Sequence, residues 1–427
     1  MKIHVVGGGG REHALVWALS RQGHELTCAP GNPGIAQLAQ CHANVKADDV
    51  DGQVRLALQL GAELVVVGPE APLCAGFSDT ARVKGLTVFG PSMAGARLEG
   101  SKAFAKQFFA RHHIPTAEFA ICESMAEIDA ALTRLGGQVV VKADGLAAGK
   151  GVTVCDSVLE ARAAARKMIE GAIFGAAGRR VVVERKIRGP EASVFAVTDG
   201  ERFVVLPAVE DHKAVFDGDQ GPNTGGMGTV SPTTSMSAEL LERVRREVLV
   251  PTVRGLAEEG ISYRGVLFAG LMIDDVTGTP YMLEYNCRFG DPETEPLMVR
   301  WADDPTPWLL GAAQGKLPPG EPEFSPFAAV CVVMAAPGYP DAPRAGDVIT
   351  GTAEAGQLAG VQVFHAGTRM DEGKLVTAGG RVLAVTAAGD DVAVARARAY
   401  QAVARITWTG AHFRRDIGNR RPRAGEE

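Results

Sequence analysis

Residues Tyr281 to Glu295, reading YMLEYNCRFGDPETE, decide how the rest of this chain is understood. The first half alternates with period two. That predicts a strand with Tyr281, Leu283, Tyr285, Cys287 and Phe289 on one face and Met282, Glu284, Asn286 and Arg288 on the other. The first face suits a core; the second sets a carboxylate, an amide and a guanidinium in a row. Hard cations such as Mg²⁺ take oxygen ligands, usually one or two protein groups plus substrate phosphates, and Glu284 and Asn286 could supply them. Arg288 could then meet phosphate or a carboxylate. A solvated polar face on an antiparallel edge explains the same alternation. The continuation through Asp291, Glu293 and Glu295 favours the first reading, because it turns three further carboxylates to the same strand end.

At 427 residues the chain has room for two to four domains, since single cores rarely grow past about 250–300 residues. Frequent glycine (52 residues) between short apolar runs points to an α/β enzyme. The net charge of −6 argues against nucleic acid or an anionic membrane as partner. Seven cysteines, with no CxxC spacing and mostly in apolar segments, suggest buried thiols in a reducing cytoplasm and no zinc site. The N-terminus begins directly with a strand, and no run of about twenty apolar residues occurs, so a soluble cytoplasmic protein is expected.

Upstream, Ile3 to Val6 reads as a buried strand, followed by Gly7 to Gly10 and a helix from Arg11. Strand, glycine turn and helix N-terminus make an anion site from free N–H groups and the helix dipole. A dinucleotide fold fits poorly: Glu12 stands at the third glycine of the G-x-G-x-x-G pattern, and the next strand, Glu25 to Ala29, ends in Pro30-Gly31-Asn32 without an acidic residue. Strands at Leu64 to Val67 and Thr87 to Phe89 also run into Gly/Pro loops, so several loops should line the carboxyl edge of one parallel sheet, with Glu70 in the crevice or simply starting a helix.

Val139 to Val152 reads as a hairpin whose strand carries Lys142 and whose Gly/Ala tip carries Gly149 and Lys150, able to fold over phosphates. It is no Walker A loop, because Gly151 follows Lys150 where Ser or Thr is needed. The linker from Glu184 through Lys186 to Glu191 could pair with an adenine edge and ribose hydroxyls, or be merely solvated. Residues 211–228 lack apolar periodicity and read as a long structureless loop, a lid or substrate loop. A helix is expected over 238–258. From Ala328 a small α+β domain with little obvious chemistry is expected, ending in a polar tail from Arg420.

Taken in order, GGGGREHAL, GPEAPL, LEGSKAFAK, IPTA, VKADGLAAGKGV, DGDQGPNTGGMG, EYNCRFGDPETE, VFHAGT and FRRDIG resemble the phosphoribosylamine–glycine ligase family of the ATP-grasp superfamily, over Met1 to about Gly418. The resemblance implies an α/β fold: an N-terminal parallel-sheet domain (1–105), an ATP-grasp domain (106–315) with a small mobile subdomain (about 117–187), and a C-terminal α+β domain (322–427). It implies a monomeric C–N ligase of purine biosynthesis that joins glycine to 5-phosphoribosylamine, with ATP and Mg²⁺ or Mn²⁺, through glycyl phosphate. By motif it assigns the metal to Glu284 and Asn286. Nucleotide falls to Lys102, Lys142, Gly149, Lys150, Glu184 (adenine hinge), Lys186 and Glu191 (ribose). Substrate falls to Gly9, Gly10, Arg11, Glu12, Gly31, Asn32, Glu70, Asp211, Asn223 and Arg288, with Arg288, Lys142 and Asp211 as the catalytic groups. Three positions depart from the family pattern: Gly8, Ala214 where Arg commonly follows DHK, and Gly270 where many relatives of the superfamily place a carboxylate. Only two protein ligands to the metal are therefore expected. The alternatives are another ATP-grasp carboxylate–amine ligase of nucleotide synthesis or a dinucleotide-dependent oxidoreductase.

Overall fold

The computed structural model describes residues 1–146, 151–170, 179–233 and 235–419. The tip residues Gly149 and Lys150 and the tail from Arg420 lie outside them. The chain opens with strands β1 (Lys2–Gly7), β2 (Glu25–Pro30), β3 (Gln40–Cys41), β4 (Leu64–Val67) and β5 (Val88–Phe89), all parallel in the order β3-β2-β1-β4-β5. Val65 and Val66 are fully buried on opposite faces, as expected of a parallel strand covered by helices on both sides. The strand order reverses between β1 and β4, so the loops after these two strands flank the crevice where open α/β sheets bind ligands.

A smaller antiparallel sheet follows, with β6 (Phe119–Cys122), β7 (Val139–Ala143), β8 (Val152–Cys155) and β9 (Val181–Arg185) in the order β6-β9-β7-β8. Helices Met125–Leu135 and Val158–Ile169 cover one face and close a separate core around Ile128, Leu132, Val141, Ala161 and Val183. Ser124 and Ser157 cap these helices by accepting from the third helical N–H. Strand β9 continues through Arg185, so Glu184 sits inside it and not in a linker as expected.

Beyond β10 (Glu191–Thr198) and β11 (Phe203–Val205), the segment expected to be structureless is ordered into β12 (Glu210–Asp211), a hairpin of β13 (Ala214–Phe216) and β14 (Gln220–Asn223), and β15 (Gly228–Ser231). Its glycines and aspartates supply the turn, with Gly218 and Asp219 at positive φ, and its few apolar residues, Val215 and Met227, are buried against Ala335. Turn-rich composition hid these short strands. The helix expected over 238–258 is present as Ala238–Val244 and Val250–Glu258, joined by a π-helical turn, Arg245–Leu249, just ahead of Pro251. Proline lacks the N–H for the regular ladder, and the wider turn absorbs that defect.

β16 (Gly265–Ile273) and β17 (Pro280–Asn286) complete a second antiparallel sheet, β11-β10-β16-β17. The alternation predicted along β17 breaks at one place. Met282 pairs with Leu271 and Glu284 with Gly270, leaving Leu283 as an extra residue in a β-bulge. Consequently Met282 is in the core and Leu283 faces the cavity, the reverse of the expectation, whereas Tyr285, Cys287 and Phe289 are buried as predicted.

The C-terminal strands are β18 (Ala328–Ala335), β19 (Val361–His365), β20 (Thr368–Asp371), β21 (Lys374–Thr377) and β22 (Arg381–Gly389). β18, β22 and β19 share one sheet with β12 and β15, in the order β12-β15-β18-β22-β19, and helix Val392–Val403 packs on it. No described helix is long and apolar enough to cross a membrane.

Candidate active site

A cavity of about 640 Å³ is bounded by the small sheet, by β10, β16 and β17, and by the loop after β4. The bulge resets β17 so that Glu284, Asn286 and Arg288 all line it. Among the described residues no hydrogen bond or ion pair closes on the Glu284 carboxylate. Burial works against its charge, but Lys213, Lys142, Lys102 and Arg288 outweigh burial and hold its pKa below the usual carboxylate range. Asn286 Oδ1 accepts from Arg288 Nη2 at 3.0 Å. One ionised carboxylate and one amide carbonyl form an all-oxygen donor pair, the chemistry a hard divalent cation takes. Gly270 stands across the sheet from Glu284, and an added Cβ there would lie 3.4 Å from Glu284 Cγ. The cross-strand position is thus bare backbone with room for a side chain.

Arg288 is more constrained than its position in the sequence suggests. Nη2 donates to Glu99 Oε1 at 2.8 Å, and Nε lies 3.4 Å from Glu70 Oε2. Burial disfavours its charge, yet Glu99 and Glu70 hold the guanidinium firmly protonated. Glu99 also accepts from the Cys287 N–H at 2.8 Å, fixing the strand end to the N-terminal segment. Glu70 is therefore a cavity residue bound to Arg288 and not only a helix-start carboxylate.

The lysines surround the far side. Lys142 Nζ lies 2.5 Å from Glu184 Oε1 and donates to the carbonyl of the bulged Leu283 at 3.2 Å. The second Glu184 oxygen pairs with Lys106. Lys106 in turn donates to Thr116 Oγ1 at 2.5 Å, and Thr116 to the Met282 carbonyl at 2.8 Å. Glu184 is 1 % exposed and lines the cavity with its carboxylate between the two lysines. Burial lowers the pKa of Lys106 to about 8 despite Glu184 beside it. Lys102 Nζ donates to the Gly145 carbonyl at 3.1 Å, at the base of the hairpin tip. Lys186 lines the cavity while paired with Asp156 at 2.8 Å, and Glu191 lines it while 3.4 Å from Lys213.

Of the residues expected to meet substrate, Arg11, Glu70, Asp211, Asn223 and Arg288 reach the cavity; Gly9, Gly10, Glu12, Gly31 and Asn32 do not. The glycine turn after β1 is already filled. Gly8 N–H and Gly9 N–H both donate to Glu12 Oε2, at 3.1 and 2.5 Å, while Glu12 Oε1 takes Arg11 Nε at 2.5 Å. The free N–H groups expected there are capped by a residue of the same helix, and any incoming anion must displace that carboxylate. Asn32 is likewise engaged: its amide donates to the Gly8 and His365 carbonyls, at 2.9 and 2.7 Å, and accepts from Gly34 and Ile35. All four of its hydrogen-bonding positions serve the fold.

Asp211 is half-buried beside Glu293, and its buried Oδ1 has no hydrogen-bond partner among the described residues. Burial, and then Glu293, pushes the Asp211 pKa well above the usual carboxylate range. Sequence reasoning missed Lys106, Glu99, Tyr339 and Arg381. Lys106 stands one helical turn after Lys102, a spacing that would have placed the two on one face. Tyr339 and Arg381 come from the part read as chemically quiet, and nothing local in the sequence marks them. Arg381 forms an ion pair with Asp291 at 3.1 Å and donates to the Gly225 carbonyl at 2.7 Å.

Profiles of one family match the chain in three consecutive pieces: Phosphoribosylglycinamide synthetase N domain over residues 1–99, ATP-grasp (A) domain over 100–294 and C domain over 329–420. Curated proteins named phosphoribosylamine–glycine ligase are similar along nearly the full length. The protein from Caulobacter vibrioides is 50 % identical over 422 residues and that from Allochromatium vinosum 49 % over 428, each alignment covering 98 % of both chains. The crystal structure of the Thermotoga maritima phosphoribosylamine–glycine ligase superimposes with a TM-score of 0.86 at 37 % identity, covering 98 % of this chain and 100 % of that one. A Campylobacter jejuni biotin carboxylase shares the fold, with a TM-score of 0.75 at 14 % identity over 96 % of this chain and 92 % of its own.

Proposed function

The chain belongs to the phosphoribosylglycinamide synthetase family, and from that premise we propose that it joins glycine to 5-phosphoribosylamine, converting ATP to ADP and phosphate, as a step of purine biosynthesis. The observation that carries the reading is the cavity face of β17 and the residues just after it: an acid, an amide and an arginine at alternate positions, opposite Lys142, Lys102 and Lys213.

A carboxylate is a poor acyl donor because oxide is a poor leaving group. The chemistry therefore runs through two displacements: a glycine carboxylate oxygen attacks the γ-phosphorus and ADP leaves, and then the amine nitrogen attacks the acyl carbon, phosphate leaves and the nitrogen loses a proton. Lys142 is assigned to the transferred phosphoryl group, and Lys102 to the nucleotide phosphates at the hairpin base. Arg288, neutralised by Glu70 and Glu99, acts by direction more than by net charge. Asp211 is assigned to the glycine end, with a second carboxyl group, Glu293, beside it. A divalent cation, Mg²⁺ or Mn²⁺, held by Glu284 and Asn286 would supply charge neutralisation on the phosphates when bound. No side chain need act as a nucleophile. Acyl phosphates hydrolyse readily, so the 214–223 hairpin serves to exclude water. The same reading makes the protein a cytoplasmic monomer, divided near residues 105 and 322.

Purified protein supplied with ATP, Mg²⁺, glycine and 5-phosphoribosylamine should form ADP only when both other substrates are present. ADP formation indifferent to either one would transfer the protein to another carboxylate–amine ligase. A dinucleotide at the first glycine turn would meet the Glu12 carboxylate, which weighs against the oxidoreductase alternative.

A further inference from the structure

The motif Phe413 to Gly418, FRRDIG, is far from the cavity chemistry in sequence, yet it grips the hairpin that enters the cavity. Arg414 is 1 % exposed. Its Nε and Nη2 fork onto the two oxygens of Asp416, both at 2.7 Å, and Nη1 donates to Asp219 Oδ1 at 2.7 Å and to the Ala214 carbonyl at 3.1 Å. The neighbours extend the grip. Arg415 N–H donates to Asp217 Oδ1 at 2.7 Å, Asp416 Oδ2 accepts from Gly218 N–H at 2.8 Å, and His412 Nε2 lies 2.8 Å from the Val215 carbonyl. Each residue of the turn 217–219 is therefore tied to a stretch about two hundred positions away.

The hairpin needs that support. Among the described residues β13 and β14 pair only with each other, β14 is exposed throughout, and an isolated two-stranded hairpin is marginal in water. Its return strand delivers Asn223 and then Thr224 and Gly225 to the cavity, and Lys213 enters just before it. The Gly225 end is held from the same quarter, by Tyr339 Oη, which accepts from its N–H at 3.2 Å, and by Arg381. The lysine side of the cavity, with Lys142, Glu184 and Lys186, belongs to the small sheet and makes none of these contacts among the described residues.

We propose that Arg414 is a positioning residue for the non-nucleotide substrates: through the 214–223 hairpin it sets where Asn223 stands, and so governs affinity for glycine and 5-phosphoribosylamine but not for ATP. A planar fork suits this task, since it fixes Asp416 and Asp219 in one plane as an ammonium cannot. The proposal rests on the ligase reading above.

The test compares wild type with Arg414→Met, Arg414→Lys and Asp219→Asn. In Arg414→Met, hydrogen exchange across 214–223 should quicken and the KM for glycine, for 5-phosphoribosylamine or for both should rise about tenfold or more, as expected of misplaced binding groups. The ATP dissociation constant, measured without the other substrates, should stay within about twofold. Arg414→Lys should recover less than half of the loss, because it restores charge without the fork. Asp219→Asn, at the half-exposed end of the pair, should show the same pattern more weakly and covers the case in which Arg414→Met does not fold. Unchanged exchange in the hairpin overturns the clamp whatever the substrates are. Faster exchange with unaltered KM values, or ATP affinity falling in step with them, overturns the assignment to substrate. Wild-type protein that forms no ADP with glycine and 5-phosphoribosylamine overturns the ligase reading instead, and the exchange result stands apart from it.

Discussion

Lys142 and Glu184 are joined across the small sheet, Nζ to Oε1 at 2.5 Å, and the same carboxylate binds Lys106 on its other side. Two buried cations share one buried anion, so the position of the phosphate-facing lysine depends on Lys106. Replacing Lys106 by Met leaves Glu184 with a single partner and lets it draw Lys142 away from the Leu283 carbonyl. The expected outcome is a higher KM for ATP together with a loss of about 3–5 kcal/mol in stability, the usual result of breaking a buried ionic group. Denaturant unfolding and ATP titration measure both; an unchanged ATP KM would mean that Lys142 finds its place unaided.

Glu284→Gln keeps the shape of the side chain and removes the charge that Lys213, Lys142, Lys102 and Arg288 converge upon. Turnover should fall by on the order of 10³-fold, the scale of several kcal/mol of lost charge neutralisation, with little change in the unfolding midpoint. Raising the Mg²⁺ concentration should recover part of the loss. Full turnover in this variant would place the divalent cation elsewhere.

Gly226 adopts φ +117°, and a Cβ there would lie 2.8 Å from Asp211 Oδ1 and 2.5 Å from Pro292 Cδ. Alanine at this position is therefore strained and crowds the acid assigned to glycine. Gly226→Ala should lower stability by about 1–3 kcal/mol and raise the glycine KM more than the ATP KM. Equal changes in the two would detach Asp211 from the amino acid.

His13 and His365 meet at the seam between the first helix and β19, where the His365 N–H donates to His13 Nδ1 at 2.7 Å. Burial, and then His365, lowers the His13 pKa to about 3, and burial lowers that of His365 to about 4. Both rings stay neutral in the folded chain, whereas the unfolded chain takes up protons near pH 6.5. Their contribution is thus whole above about pH 6.5 and declines as the pH falls toward the folded values. The melting temperature should drop between about pH 7 and about pH 5 more steeply in wild type than in His13→Gln, which retains an acceptor and does not titrate. Parallel curves would remove the seam from the acid response.

The regular elements were legible because their signals are local. The valines of Leu64–Val67 and the strand, turn and helix from Lys2 to Ser20 are decided by residues next to one another. The bulge at Leu283 was not legible, because an extra residue on one strand is defined only against its partner, and Gly270 and Leu271 lie more than ten positions away. Glu12 shows a second limit. Its rank in a glycine pattern spoke against a dinucleotide, but whether the turn stayed open to an anion depended on a side-chain rotamer. Glu184 shows a third: the two lysines that pair with it come from a helix and a neighbouring strand, so its surroundings are set by contacts that no local stretch of sequence encodes. The 211–228 segment misled through composition alone, since turn residues outnumber the few apolar ones that pin its strands.

The sheet β12-β15-β18-β22-β19 joins two strands from the middle of the chain edge to edge with three from its last quarter. Modular exchange is therefore barred at that border. A protein cut before β18 keeps β15 with one row of N–H and C=O groups unpaired, and such a raw edge invites aggregation. Evolution or engineering can graft a new piece onto the outer rim, beyond β19, far more readily than it can swap the terminal part as a cassette.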